Sequence, residues 1–180
     1  MYRIFIAATI VDSQREALVR SQQMLHKLCH KVGLTKPDNL HLTLRFIGEV
    51  DANKLKAIKQ VMSALPLTSQ EDYWTRITGY GRFKRQDGDL IYARMEVSRP
   101  LIELVRSIDD QLLAVDIKPD GREWLPHITV ARRAVFPKTT NELPSMILSQ
   151  DKEPVADIQL MLSEFTRQGM KYTPLLKRFS

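Results

Sequence analysis

Histidine and threonine occur twice in the same short setting, His41-Leu42-Thr43-Leu44 and His127-Ile128-Thr129-Val130. Strand side chains alternate faces, so each phrase puts an imidazole beside a hydroxyl and turns its aliphatic residues toward a core. Histidine titrates near neutral pH and can take or give a proton there. Two imidazoles on facing strands could therefore act as base and acid for an in-line displacement at phosphorus, exchanging roles in the reverse direction. The Thr43 and Thr129 hydroxyls could donate to non-bridging oxygens, and a nearby arginine could offset developing charge. The demand on such a site is lowest for a strained five-membered cyclic ester, which makes a nucleoside 2′,3′-cyclic phosphate a reasonable substrate on chemical grounds. Either phrase alone would be read as a structural histidine in an apolar strand. The duplication with its flanks reverses that reading.

The elements that must position these residues fall into two halves of similar order. Residues 2 to 10 read as a strand, and Asp12-Ser13 followed by Glu16 reads as a capping start to a helix running to about Gly33, with Leu18, Leu25, Leu28 and Val32 on one stripe. Asn39 to Ile47 is a strand carrying the first phrase. Gly48, Glu49 and Asp51 close it and start a helix whose apolar positions are Leu55, Ile58, Val61 and Leu65, ended by Pro66. Tyr73 to Gly81 and Leu90 to Val97 read as a hairpin around a polar loop. Ser98 with Pro100 starts a third helix bearing Leu101, Leu104, Val105, Ile108 and Leu112; Pro119-Asp120-Gly121 is a turn before the second phrase. Residues 137 to 154, with three prolines, read as loop, and Val155 to Phe165 and Met170 to Phe179 as a closing strand pair around Gly169. The order predicts an α+β duplicated, bilobal fold with two antiparallel sheets flanked by helices, pseudo-twofold, with the active-site cleft between the lobes. No flexible linker separates the halves, so residues 1–180 are read as one domain.

Composition narrows the function classes. A chain of 180 residues with 43% hydrophobic and 27% charged residues can bury a sizeable core, and its longest apolar runs fall short of the ~18 to 20 residues of a membrane span. The opening Met1–Ala8 run is too short for a signal peptide, and a single cysteine forms no intramolecular disulfide, so a cytoplasmic location is expected. The net charge of +6 favours a polyanionic partner, and Arg82, Lys84, Arg85, Arg132, Arg133, Lys171, Lys177 and Arg178 are candidates for an RNA path beside the plainer reading of a solvated face. His26, Cys29 and His30 would share a helix face at i, i+3 and i+4, yet no fourth ligand accompanies them, so no metal site is read there.

The flanks carry a resemblance. Tyr2-Arg3-Ile4-Phe5-Ile6-Ala7, then Asn39-Leu40-His41-Leu42-Thr43-Leu44-Arg45-Phe46-Ile47-Gly48-Glu49-Val50, then Pro126-His127-Ile128-Thr129-Val130-Ala131-Arg132, and finally Tyr172-Thr173-Pro174-Leu175 together resemble the two-histidine (2H) phosphoesterase superfamily. Within it the chain is similar to the bacterial and archaeal RNA 2′,3′-cyclic phosphodiesterases, the LigT-like proteins historically named 2′-5′ RNA ligases. The resemblance implies a bilobal α+β fold, no metal or nucleotide cofactor, and hydrolysis of RNA 2′,3′-cyclic phosphate ends to 2′-phosphomonoesters. It implies His41 as general acid on the 3′ leaving oxygen and His127 as base activating water, labels that the symmetry of the two phrases leaves interchangeable. It gives Thr43 and Thr129 to the phosphate and Arg132 as its assistant; Tyr172 is read as lining the cleft, with strand packing as the alternative. Arg132 lies an odd number of residues from His127, so that role requires the strand to end or bulge near Ala131, and Arg133 competes for it. Relatives often carry a tryptophan where this chain has Leu90-Ile91-Tyr92-Ala93, which passes base stacking to Tyr92 or Phe83. The expected partner is RNA or an oligonucleotide with a 2′,3′-cyclic phosphate end, small cyclic nucleotides being an alternative. The internal duplication leads to the expectation of a monomer. Two other functions share the scaffold: 2′-5′ ligation at the same site in reverse, and noncatalytic nucleotide or RNA binding.

Overall fold

The computed structural model describes residues 1–140 and 142–179; Asn141, within the expected 137–154 loop, lies outside them. In chain order the elements are β1 (Tyr2–Ile10), α1 (Asp12–Leu28), β2 (Lys31–Leu34), β3 (His41–Val50), α2 (Ala52–Ala64), β4 (Trp74–Phe83), β5 (Asp89–Val97), α3 (Arg99–Leu113), β6 (His127–Val135), β7 (Glu153–Thr166) and β8 (Gly169–Lys177). All strand pairs are antiparallel.

The expected two sheets are present as two halves of one eight-stranded sheet. One half runs β8-β7-β1-β3 and the other β4-β5-β6-β2, and they join where Trp74 and Thr75 of β4 pair with Pro154 and Glu153 of β7. The histidine strands occupy matched positions, β3 beside β1 and β6 beside β5. Two additions break the likeness: β2 extends one half beyond β6, and β8 extends the other beyond β7.

The helices cross between the halves. α1 follows β1 yet packs its polar inner edge on the opposite half, where Ser21 Oγ lies 2.8 Å from Tyr80 Oη and Thr75 Oγ1 donates to Gln14 Oε1 at 3.1 Å. α3 buries Leu101, Leu104, Val105, Ile108 and Leu112, the stripe its period predicts, and offers Asp109 to the buried Arg45 of β3 at 2.8 Å. Ile4, Ile6, Leu42, Leu44, Ile128 and Val130 are all 2% exposed or less, so each contributes about 1.5 to 3 kcal/mol of apolar burial that holds the histidine strands to the core.

Two local expectations are corrected. Helix α1 ends at Leu28 instead of near Gly33, because Cys29 turns extended and Lys31–Leu34 recovers its backbone hydrogen bonds by edge pairing with β6. Val32 and Gly33, poor helix formers, suit that edge. The residue before the helix is Val11, with no side-chain cap; Asp12 pairs with Arg15 and Ser13 donates to Glu153. The end of α1 also separates His26 from Cys29 and His30, and no metal-holding cluster of His, Cys, Asp or Glu occurs among the described residues. The caps of α2 and α3 are as their sequences require, Asp51 accepting from Lys54 N at 2.8 Å and Ser98 accepting from Leu101 N at 3.4 Å.

Candidate active site

Each histidine phrase reads out, in, out, in on its strand. Leu42 and Leu44, like Ile128 and Val130, face the core, while His41, Thr43, His127 and Thr129 stay half-buried on the opposite side. Both imidazoles are anchored alike. His41 Nδ1 lies 2.7 Å from the Asn39 carbonyl and His127 Nδ1 lies 2.7 Å from the Leu125 carbonyl. A carbonyl only accepts, so each Nδ1 carries the proton and each Nε2 is the nitrogen left for chemistry. Thr43 Oγ1 stands 2.9 Å from His41 Nε2, so hydroxyl and imidazole address the same point.

The two phrases meet in one cleft of about 910 Å³, whose walls include His41, Thr43, His127, Thr129, Arg132 and Tyr172, all six of the residues singled out from sequence. Its electrostatics are positive. Burial lowers the His41 pKa, the Asn39 carbonyl opposes that, and the positive charges of His127 and Arg132 lower it further. His41 is thereby held toward its neutral form until a negative charge enters the cleft.

The odd spacing of Arg132 is resolved by a bulge. On β6, Thr129 pairs with Tyr92 and Ala131 with Ile91, leaving Val130 as the extra residue. The shift in phase brings Arg132 to the cleft side. Arg133 has φ of 54° and its Nε reaches Asp87 at 3.3 Å, so it does not compete for the phosphate. Strand β3 repeats the device: Thr43 pairs with Ala7 and Arg45 with Ile6, leaving Leu44 bulged. The residue delivered there is Phe46, 46% exposed on the cleft wall with the Arg3 guanidinium 5.0 Å from its ring centre. One half thus offers an arginine and the other an aromatic ring.

Side chains from the approach to each phrase hold the bulge of the other. Thr35, ahead of β3, donates its hydroxyl to Thr129 O at 2.9 Å, and Trp124, ahead of β6, donates Nε1–H to Thr43 O at 3.0 Å. Gln22 of α1 completes the clamp on β6, its amide donating to both Val130 O and Thr35 O at 2.8 Å.

Aromatic rings support both imidazoles. Phe5 lies 4.9 Å and Tyr172 5.2 Å from the His41 ring centre, Tyr172 edge-on, which makes Tyr172 a neighbour of the imidazole. Tyr92 stands edge-on to His127 at 5.6 Å and stacks on Phe83 at 4.7 Å. Of the two rings expected to be open to a base, Tyr92 is buried and Phe83 is exposed on the cleft wall. Phe46 and Arg3 were not singled out from sequence. The signal was present: Phe46 lies as far past His41 as Arg132 lies past His127. Of the basic residues considered for an RNA path, Arg85 and Arg132 line the cleft, whereas Arg178 donates to the Met62 and Leu65 carbonyls and Arg82 lies 3.5 Å from Asp89.

The chain is similar in sequence and fold to known proteins. The family described as the 2′-5′ RNA ligase superfamily matches residues 12–166. The chain is 28% identical to an RNA 2′,3′-cyclic phosphodiesterase of Methanothermobacter thermautotrophicus, over 96% of each chain. It is 31% identical to an RNA 2′,3′-cyclic phosphodiesterase of Escherichia coli, over 77% of this chain and 74% of that one. A crystal structure of a Thermus thermophilus protein superposes with a TM-score of 0.79 at 26% identity, covering 97% and 96% of the two chains. E. coli LigT complexed with 3′-AMP gives 0.76 at 25% identity, covering 98% and 97%.

Proposed function

Since the chain belongs to the 2′-5′ RNA ligase superfamily, we propose that it hydrolyses 2′,3′-cyclic phosphate ends of RNA to 2′-phosphomonoesters. The observation that carries this reading is the pair of imidazoles, each anchored through Nδ1 and brought from opposite halves to one cleft beside Arg132. His127 Nε2 takes a proton from water as its oxygen attacks phosphorus. The bond to the 3′ oxygen breaks in line, and His41 Nε2–H supplies the proton that oxygen needs. The phosphate's own negative charge raises the pKa of His41 on binding, which loads the acid when it is required. Thr43 and Thr129 donate to the non-bridging oxygens and Arg132 offsets their charge. Phe46, with Arg3 behind it, and Phe83 offer faces for nucleobases. With a 5′ hydroxyl in place of water, the same steps open the cyclic ester to a 2′-5′ linkage and a free 3′ hydroxyl, and water in large excess favours hydrolysis. The halves act as one catalytic unit, a monomer supplies both histidines, and the single cysteine suits a reducing cytoplasm.

The test is an RNA oligonucleotide ending in a 2′,3′-cyclic phosphate, incubated with the protein in excess EDTA. A 2′-phosphomonoester forms with wild type, and His41→Ala and His127→Ala each lower the rate by about 10² to 10⁴. An end group left intact by wild type, or turnover insensitive to either substitution, overturns the reading.

A further inference from the structure

The cleft does not end at His41. On β7 and β8, Ser163 pairs with Tyr172, and both line it; Met170, a further lining residue, pairs with Phe165. Cross-strand partners share a face, and no register shift interrupts these pairs, so Phe165 stands on the cleft face about 7 Å beyond Ser163 along β7. Phe165 is 84% exposed, the most exposed aromatic ring among the described residues. The hairpin is stiff without it. Thr166 Oγ1 donates to Gly169 O at 2.7 Å and accepts from Gln168 N at 3.2 Å, Gly169 takes φ of 99°, and Asn39 Nδ2 holds Met170 O at 2.9 Å, tying the hairpin to the residues that anchor His41.

The chemistry around the ring fits a polyanion. Arg167 is exposed in the turn, and Lys36 lies on the cleft wall with its side-chain stem against Gly169. Glu164 pairs with Lys171 on the opposite face, away from the cleft.

We propose that the cleft face of the β7–β8 hairpin is a second nucleotide subsite. It takes the single-stranded RNA just upstream of the cyclic-phosphate end, with a base stacked on Phe165 and backbone phosphates met by Lys36 and Arg167. This deepens the cyclic phosphodiesterase reading and rests on it. The subsite makes the enzyme prefer oligonucleotides to mononucleotides, because a stacked base adds binding that a lone nucleoside cyclic phosphate cannot reach.

The experiment compares a trinucleotide ending in a 2′,3′-cyclic phosphate with a mononucleoside 2′,3′-cyclic phosphate, using wild type, Phe165→Ala and Phe165→Trp. Phe165→Ala lowers kcat/KM for the trinucleotide by about 5- to 100-fold and leaves the mononucleotide unchanged, whereas Phe165→Trp keeps the wild-type preference. Equal loss on both substrates, or no loss on either, overturns the subsite. Binding of a fluorescent trinucleotide 2′-phosphate is measured in parallel. If wild type cleaves neither substrate, the activity reading falls, and weaker binding by Phe165→Ala still supports the subsite while unchanged binding overturns it.

Discussion

Replacing Thr35 with valine keeps the shape of the side chain and removes one donor, the hydroxyl that holds Thr129 O at 2.9 Å beside the β6 bulge. The backbone bond from Thr35 N to Val130 O, 3.0 Å, stays in place, so the segment still docks. Leaving the carbonyl without that partner costs about 1 to 3 kcal/mol, which for a chain of this length lowers Tm by about 3 to 8 °C. The rate effect has a different origin. The bulge sets the phase that aims Arg132, and a hydrogen bond to a charged group contributes about 1.5 to 3 kcal/mol. Relaxation of the bulge therefore lowers kcat/KM by about 10- to 100-fold, and no further than Arg132→Ala does. The assay is hydrolysis of a nucleoside 2′,3′-cyclic phosphate below the melting range of both variants, with Thr35→Ser as the conservative control that restores the rate. A double substitution, Thr35→Val with Arg132→Ala, loses no more than Arg132→Ala alone. If the two losses multiply, or if Tm falls while kcat/KM stays within about twofold of wild type, the clamp does not act through Arg132.

Two further outcomes follow from buried groups. Burial first, then the charges of His127 and Arg132, hold folded His41 below its ordinary value near 6.5, so the folded state resists protonation; stability is lost as pH falls through 6.5 and the loss levels off below the folded value. Denaturation from about pH 8 to about pH 5 shows this slope, His41→Gln flattens it, and the His41 ring titration by NMR moves upward when inorganic phosphate is added. Asp157, 3% exposed, accepts from the backbone N–H groups of Ile158, Arg178 and Phe179 and from Gln159 Nε2 at 2.8 to 3.0 Å. Asp157→Ala destabilises the protein by about 3 kcal/mol in urea, with turnover unchanged at temperatures where the variant stays folded.

The strands and helices that carry regular apolar periods were legible in the residues. α3 follows its stripe, the β4–β5 hairpin its polar loop, and the two histidine strands their alternation. Both histidines and both threonines, read from their spacing, line one cleft with Arg132 and Tyr172, which spacing alone did not place. Features decided by pairing across the sheet were not legible. Lys31–Leu34 continues a helical pattern until β6 offers it an edge, so local periodicity overruns the helix end. The bulge at Val130 was anticipated only as a condition on Arg132, since a ladder's register is a property of two strands. Its twin at Leu44, and with it Phe46, went unread because Phe46 looked like an ordinary strand residue. Tyr92 and Phe83 could not be told apart until packing buried one under His127 and left the other open.

The sharing of β7 governs how the molecule can assemble in time. β1 emerges before every other strand of the sheet, yet one of its neighbours is β3 and the other is residues 155–162, about 150 residues later. Until β7 appears, the segment Ile4-Phe5-Ile6-Ala7-Ala8, fully or nearly buried in the finished fold, has an unsatisfied edge. The repeated phrases look like two units that could fold in turn, but closure waits on the last strands, a high-contact-order route that is slow and exposed to aggregation. A chain cut between β3 and β4 leaves β1 with β3 alone, parting it from β7 and β2 from β6, so neither piece inherits a complete sheet.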